Sequence, residues 1–213
     1  PFSDRLGEQV SSLGTTFRYE PGLLGSSAKF DATRHAEVTT TWDLDRPWTV
    51  GFWLKAEGSL SCPLSRIEPD GQRRGVEWIW QKGRLALNLV HEWGVNAIEL
   101  ATTEPISSKL WHHVVTTYDG SSQAAGVRIF VDGAAAAVKV QRDSLTATLA
   151  SDQPLRIGRR DQGLGYHGQL DELRILQSAL DAAEAREWFH AERIRGVIDS
   201  PPDRRSSADQ EWL

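Results

Sequence analysis

Nine tryptophans in 213 residues are the first chemical feature of this chain. Carbohydrate sites use aromatic faces, because the C–H patches of a sugar ring stack on them while polar groups take the hydroxyls. Trp93 lies two positions from His91 in the stretch H-E-W-G-V-N, which reads as a loop, and is the best-placed platform for such a contact. Trp78 and Trp80 share one face of a strand whose other face carries Glu77 and Gln81, and Tyr166 follows a Gly-rich loop, so these complete the aromatic candidates. Trp48, Trp53 and Trp111 sit inside apolar strand patterns and are expected in the core. Other chemistries are poorly represented. His112 and His113 are adjacent, which in a strand sends them to opposite faces and prevents joint chelation of an ion. His35, His91 and His167 fall in separate loops without a metal-ligand spacing. Cys62 is the single cysteine, so it has neither an internal disulfide partner nor the partners of a zinc or haem motif. Nothing matches G-x-S-x-G, a phosphate-binding loop, C-x-x-C-H or H-E-x-x-H.

The elements that must position these residues are legible from alternation and turns. Residues 111–118 and 127–131 are rich in β-branched and aromatic residues, and each run ends at an Asp-Gly pair suited to positive φ. Apolar residues on both alternating sets of 111–118 predict a strand covered on both faces and central in its sheet. Asp132-Gly133 predicts a hairpin onto 135–140, and Lys82-Gly83 a second one joining 76–81 to 84–89, with Leu85, Leu87 and Leu89 pointing one way. Residues 48–55 put Trp48, Val50, Phe52 and Leu54 on a core face. Short strands are expected at 15–19, 28–30, 36–40, 63–67, 97–101, 155–157 and 169–176, with 28–30 and 36–40 forming a hairpin, and a charged loop at 68–75. Asp181-Ala-Ala-Glu184 has capping-box spacing and predicts a helix of three to four turns ending near Gly196.

Composition sets the bounds. A hydrophobic fraction of 39% and a charged fraction of 25% describe an ordinary globular chain without a membrane-spanning run, and a formal charge of −5 without a long basic run argues against nucleic acid or anionic lipid as partner. At this length one sandwich domain is the better expectation than two, here 15–196, after a lead-in at 1–14 and before a linker at 197–213 that is poor in apolar residues. The chain opens on Pro1 and has no methionine, as expected of a segment of a longer polypeptide.

The run W-H-H-V-V-T-T-Y-D-G at 111–120, followed by V-R-I-F-V-D-G at 127–133, resembles the signature of laminin-G-like domains of the concanavalin A-like lectin and glucanase superfamily. Further matches occur in family order at A-K-F-D (28–31), W-T-V-G-F-W-L-K (48–55), L-R-I-G-R (155–159), Y-H-G-Q-L-D-E-L-R-I (166–175) and Ala179-Leu180, covering about residues 15–190. The resemblance implies an all-β, two-sheet antiparallel jelly-roll sandwich with a short C-terminal helix, and the hairpin at 28–40 lying beside the last strand. It also implies an extracytoplasmic module that recognises a glycan or glycosylated surface. The alternative is an insert that docks on neighbouring domains of its parent chain and takes no small ligand. Calcium is a frequent cofactor in related domains, and Asp31 and Asp171 match acidic positions of the family motifs; the competing roles are a turn cap for Asp31 and an ion pair with Arg174 or Arg34 for Asp171. Glucanases of the superfamily line their cleft with alternating carboxylates on one strand. Only Asp43 and Asp45 alternate here, in a turn, so a hydrolase is disfavoured. The tail P-P-D-R-R-S-S-A-D-Q-E-W-L is similar to connectors that follow laminin-G-like inserts in large bacterial multidomain proteins with a cytochrome-c-type module.

Overall fold

Strands whose apolar residues recur at every second position pair so as to bury that face, and here they do so in two stacked sheets. The computed structural model describes residues 10–11, 18–69, 71–200, 205 and 212. In chain order the strands are β1 (Val10–Ser11), β2 (Arg18–Pro21), β3 (Ser26–Asp31), β4 (Ala36–Val38), β5 (Trp48–Ala56), β6 (Leu60–Ile67), β7 (Gly75–Gln81) and β8 (Arg84–Glu92). They continue with β9 (Asn96–Thr102), β10 (His112–Tyr118), β11 (Val127–Val131), β12 (Ala134–Ala135), β13 (Val138–Asp143), β14 (Leu155–Ile157) and β15 (His167–Leu176), and a single helix, α1 (Ala182–Asp199), follows. One sheet has the order β1-β4-β14-β6-β7-β8-β9-β13 and the other β12-β11-β10-β5-β15-β3-β2, all pairs being antiparallel. This is the expected jelly-roll sandwich.

The core lies between the sheets. Trp48, Val50, Phe52 and Leu54 from β5 meet Trp78 and Trp80 from β7 and Leu85, Leu87 and Leu89 from β8 in one buried cluster. Trp42, Trp48, Trp78 and Tyr118 form its aromatic centre, with ring centroids 5.3–6.3 Å apart. Such clusters add specific edge and offset contacts to a large buried area. β10 pairs with β5 and β11 and is buried on both faces, as its sequence predicts.

The second face of β10 is covered by α1. Asp181 caps the helix through Ala183 N and Glu184 N while Glu184 closes the capping box onto Asp181 N. The helix packs on Val115 and Phe130 through Ala185 and Trp188. Gly51 makes this approach possible, because a Cβ there would stand 2.6 Å from the Trp188 ring. Beneath the helix, Glu192 is 2% exposed. Its carboxylate accepts from Trp53 Nε1 (2.6 Å) and Trp188 Nε1 (2.7 Å) and pairs with Arg174 (3.1 Å), while His113 Nε2 lies 3.4 Å away. Burial raises the Glu192 pKa and lowers that of His113 to about 4.

Several local expectations change. β3 and β4 are not a hairpin: β3 pairs with the last strand, β15, while β4 pairs with β14 in the other sheet, so the turn between them crosses the sandwich. The turn at Asp132-Gly133 pairs only Phe130 and Val131 with Ala135 and Ala134 before the chain leaves to join β9 as β13. Trp111 precedes β10 and is half-buried rather than core. The helix runs on to Asp199, so the expected linker boundary at 196 falls inside it, and Val197 is 2% exposed. Trp212 returns to the helix, 5.8 Å from Phe189 and 5.4 Å from His190 by ring centroids, with the Arg193 guanidinium 5.6 Å from its ring. The expected lead-in at 1–14 lies outside the described residues except for β1, and most of the tail beyond 200 is likewise outside them.

Candidate functional site

Residues that alternate with the core positions of the eight-stranded sheet face away from the sandwich, and the register lines them up across it. Arg156 stands opposite Glu37 on one side and Ser65 on the other. Ser65 then faces Glu77, Glu77 faces Asn88, Asn88 faces Glu99, and Glu99 faces Arg142. One polar residue from each of seven adjacent strands, β4 to β13, therefore forms a row perpendicular to the strands. At about 4.8 Å per strand the row spans about 29 Å.

Hydrogen bonds knit its members together. Asn88 Nδ2 donates to Glu77 Oε1 (2.9 Å), Arg142 Nε to Glu99 Oε1 (3.1 Å) and Arg156 Nε to Glu37 Oε1 (3.3 Å). Arg160, from the 158–165 loop, clamps Glu77 through Nε to Oε2 (2.6 Å) and Nη2 to Oε1 (2.8 Å), and Glu77 is wholly buried beneath it. Ser65 Oγ anchors that loop by donating to the carbonyls of Arg159 and Arg160. Apolar patches interrupt the floor, with Ile79 and Val90 flanking the Glu77–Asn88 pair on their own strands.

Trp93 stands at the end of this face. It lies in the turn between β8 and β9, is 39% exposed, and donates its backbone N–H to Gln72 O (2.9 Å), which ties it to the 68–74 loop. Its ring is not bare: the guanidinium carbons of Arg73 and Arg160 lie 5.6 and 5.2 Å from the ring centroid. Arg160 thus links Trp93 to Glu77 and the polar row. His91 is near in sequence but serves the scaffold, its Nδ1 2.8 Å from Thr148 O.

The other aromatic candidates do not belong to this surface. Trp78 is 0% and Trp80 1% exposed because the face they share is the core face, and Glu77 lies on the reverse face as expected, itself buried beneath Arg160. Tyr166 is 0% exposed, packed edge-on to Phe30 at 5.9 Å, and burial pushes its hydroxyl pKa far up. None of these three can stack on a ligand from solvent. Asp31 and Asp171 share the β3–β15 ladder but are not brought together: Asp31 pairs with His167 at one end, four positions from Asp171 along β15. Asp31 caps its own turn through Thr33 and pairs with Arg34. Asp171 accepts from Leu24 N (3.3 Å), and desolvation raises its pKa to about 6. Among the described residues no cluster of three His, Cys, Asp or Glu side chains is placed to hold a metal ion.

Glu77 and Glu99 are the two carboxylates closest to a hydrolase arrangement, two strands apart in the row. Both oxygens of Glu77 are engaged by Arg160 and Asn88, and Glu99 is paired with Arg142, so the row presents fixed hydrogen-bonding groups rather than an acid and a nucleophile. The row was not foreseen, although its signature is visible in V-E-W, L-N-L and I-E-L: each of three successive strands sets one polar residue between two apolar ones.

Residues 27–186 match the model of the Concanavalin A-like lectin/glucanases superfamily in its laminin-G form. No curated protein sequence matches. The fold is similar to the binding domain of Paraclostridial Mosquitocidal Protein 1 (TM-score 0.70, 15% identity, 89% of this chain and 49% of that one). It is also similar to the botulinum neurotoxin serotype G binding domain (TM-score 0.62, 10% identity, 90% and 48%). The chain thus spans about half the length of those toxin domains. A third likeness covers nearly all of the other chain: domain 4 of AbnA, a GH43 extracellular arabinanase from Geobacillus stearothermophilus, solved in complex with arabinotriose (TM-score 0.57, 17% identity, 87% of this chain and 91% of that one). Among the described residues no helix is long and apolar enough to cross a membrane.

Proposed function

The chain belongs to the concanavalin A-like lectin/glucanase superfamily, and from that premise we propose that it is a non-catalytic recognition module that binds a glycan along the outer face of its eight-stranded sheet. The observation that carries this reading is the seven-residue polar row, whose middle member Glu77 is tied through Arg160 to Trp93. The members that solvent reaches, Glu37, Glu99 and Arg142, are held by ion pairs within the row and are preorganised, so little conformational entropy is lost when sugar hydroxyls replace water on them, while the buried members Ser65, Glu77 and Asn88 keep the floor rigid. The fold likeness to an arabinanase domain solved with arabinotriose supports the same class of ligand. An extracytoplasmic setting goes with it. The module acts by holding its parent chain on a polysaccharide or glycosylated surface.

A glycan-binding screen, run with and without calcium, tests the proposal. Binding should survive chelation, because Asp31 is engaged by Thr33 and Arg34 and Asp171 by Leu24 N. Glu99→Ala with Asn88→Ala should abolish it while the melting temperature of the double variant stays well above the assay temperature. Absence of any glycan ligand, or a double variant that binds like the wild type, would remove the proposal. Incubation with the bound glycan should release no reducing ends.

A further inference from the structure

Resting on the glycan-binding reading, we infer that the Arg73–Trp93–Arg160 cluster is a subsite for one acidic group of the glycan, a uronate carboxylate or sulfate ester. Two guanidinium groups lie against one indole, 5.6 and 5.2 Å from its centroid. Each gains from the ring quadrupole, and two positive charges gathered about one ring call for counter-charges. Glu77 neutralises only one of them. It takes Arg160 in a two-pronged contact at 2.6 and 2.8 Å. Arg73 has no carboxylate partner among the described residues, and its Nη1 is shielded from solvent without a hydrogen-bond acceptor. Arg73 as a whole is only half-buried, so an anion from solvent can reach its guanidinium, whose Nη1 finds no acceptor within the protein. Arg73 is also held at φ +51°, in the left-handed region that a long side chain rarely adopts, so the loop keeps the guanidinium over Trp93 at the expense of local strain.

The chemistry of the subsite follows from its geometry. Guanidinium recognises carboxylate and sulfate through paired N–H donors, and a cation already stacked on a ring loses little freedom in doing so. With two arginines against its ring, Trp93 gathers positive charge as well as offering a partly exposed indole. The rest of the row alternates Glu and Arg with Ser and Asn, so the surface suits a glycan with an isolated acid among neutral hydroxyls. A polyanion is disfavoured, because Arg156, Arg160 and Arg142 are already paired with Glu37, Glu77 and Glu99 and leave little positive charge for a continuous line of negative charge.

Calorimetric titration with matched glycan pairs tests the assignment: oligosaccharides bearing a single uronate against their methyl esters, monosialylated against asialo ones, and monosulfated against unsulfated ones. At least one acidic member should bind about tenfold tighter than its neutral partner at low ionic strength, and the margin should shrink on adding salt. Arg73→Gln should reduce that margin below about threefold with an unchanged melting temperature, and Arg73→Lys should retain part of it. Arg128→Gln makes the same charge change on β11 of the opposite sheet and should leave the margin intact. Equal affinity within every pair would overturn the acidic subsite while leaving glycan recognition standing. So would a margin insensitive to Arg73, or one equally sensitive to Arg128. Failure of all the glycans would overturn both readings.

Discussion

Replacing Glu192 by alanine should cost a large share of the stability of this protein. The carboxylate is the acceptor for two indole N–H groups, Trp53 at 2.6 Å and Trp188 at 2.7 Å, and the partner of Arg174 at 3.1 Å. Removing it leaves the Trp53 donor without an acceptor at a site that is 2% exposed. Of its carboxylate partners among the described residues, Arg174 keeps Glu172, at 2.8 Å. An unmet buried donor costs about 1–3 kcal/mol, and loss of one member of a buried charged network about 3–5 kcal/mol against a total near 5–15. The intrinsic desolvation cost of Glu192 offsets part of this, so about 3 kcal/mol is expected for Glu192→Ala. At about 2–4 °C per kcal/mol for a chain of this size, the melting temperature should fall by about 6–12 °C. Glu192→Gln keeps one acceptor oxygen and should cost about 1–2 kcal/mol. Urea unfolding followed by tryptophan fluorescence measures both, and hydrogen exchange should show α1 opening before the sheets. A Glu192→Ala variant within 1 kcal/mol of the wild type would mean that the helix is held by its apolar contacts alone.

Further outcomes follow from the same geometry. His113 has its folded pKa depressed to about 4 from 6.5, so the stability it contributes is present above pH 6.5 and lost as pH falls through 4; His113→Phe should narrow the acid loss in melts between pH 7 and 4. Asp171 is raised to about 6 from 3.8, so its contribution is complete below 3.8 and lost as pH rises through 6; Asp171→Asn should gain on the wild type more at pH 7.5 than at 4.5. Trp48→Ala, at the wholly buried aromatic centre, should cost about 3–5 kcal/mol, and half-buried Trp111→Ala distinctly less, which denaturant midpoints will rank. Truncation after Gly196 removes Val197 and the Trp212 contacts with Phe189 and His190 and should lower the melting temperature by several degrees, against the expectation of an inert linker.

The sequence by itself determined the sandwich and most of its strands, because alternation and turn chemistry are local properties. Trp48, Val50, Phe52 and Leu54 can lie on one face only if that stretch is extended, Lys82-Gly83 closes β7 onto β8 as written, and Asp181 with Glu184 makes its capping box from residues three apart. Even the two-sided burial of β10 was legible, although what covers its second face was not. Long-range pairing decided the rest. Whether Trp78 or Glu77 turns toward the partner sheet is a choice between two sides of one strand, and only that sheet settles it; the core side went to the larger apolar surface. The row from Glu37 to Arg142 needs β4, β14, β6, β7, β8, β9 and β13 side by side, an order that crosses the chain repeatedly and that no local pattern encodes. Arg73 and Arg160, 87 positions apart, meet over Trp93 because two loops are carried to one end of a sheet by strands whose neighbours are fixed by hydrogen bonding across the whole sandwich.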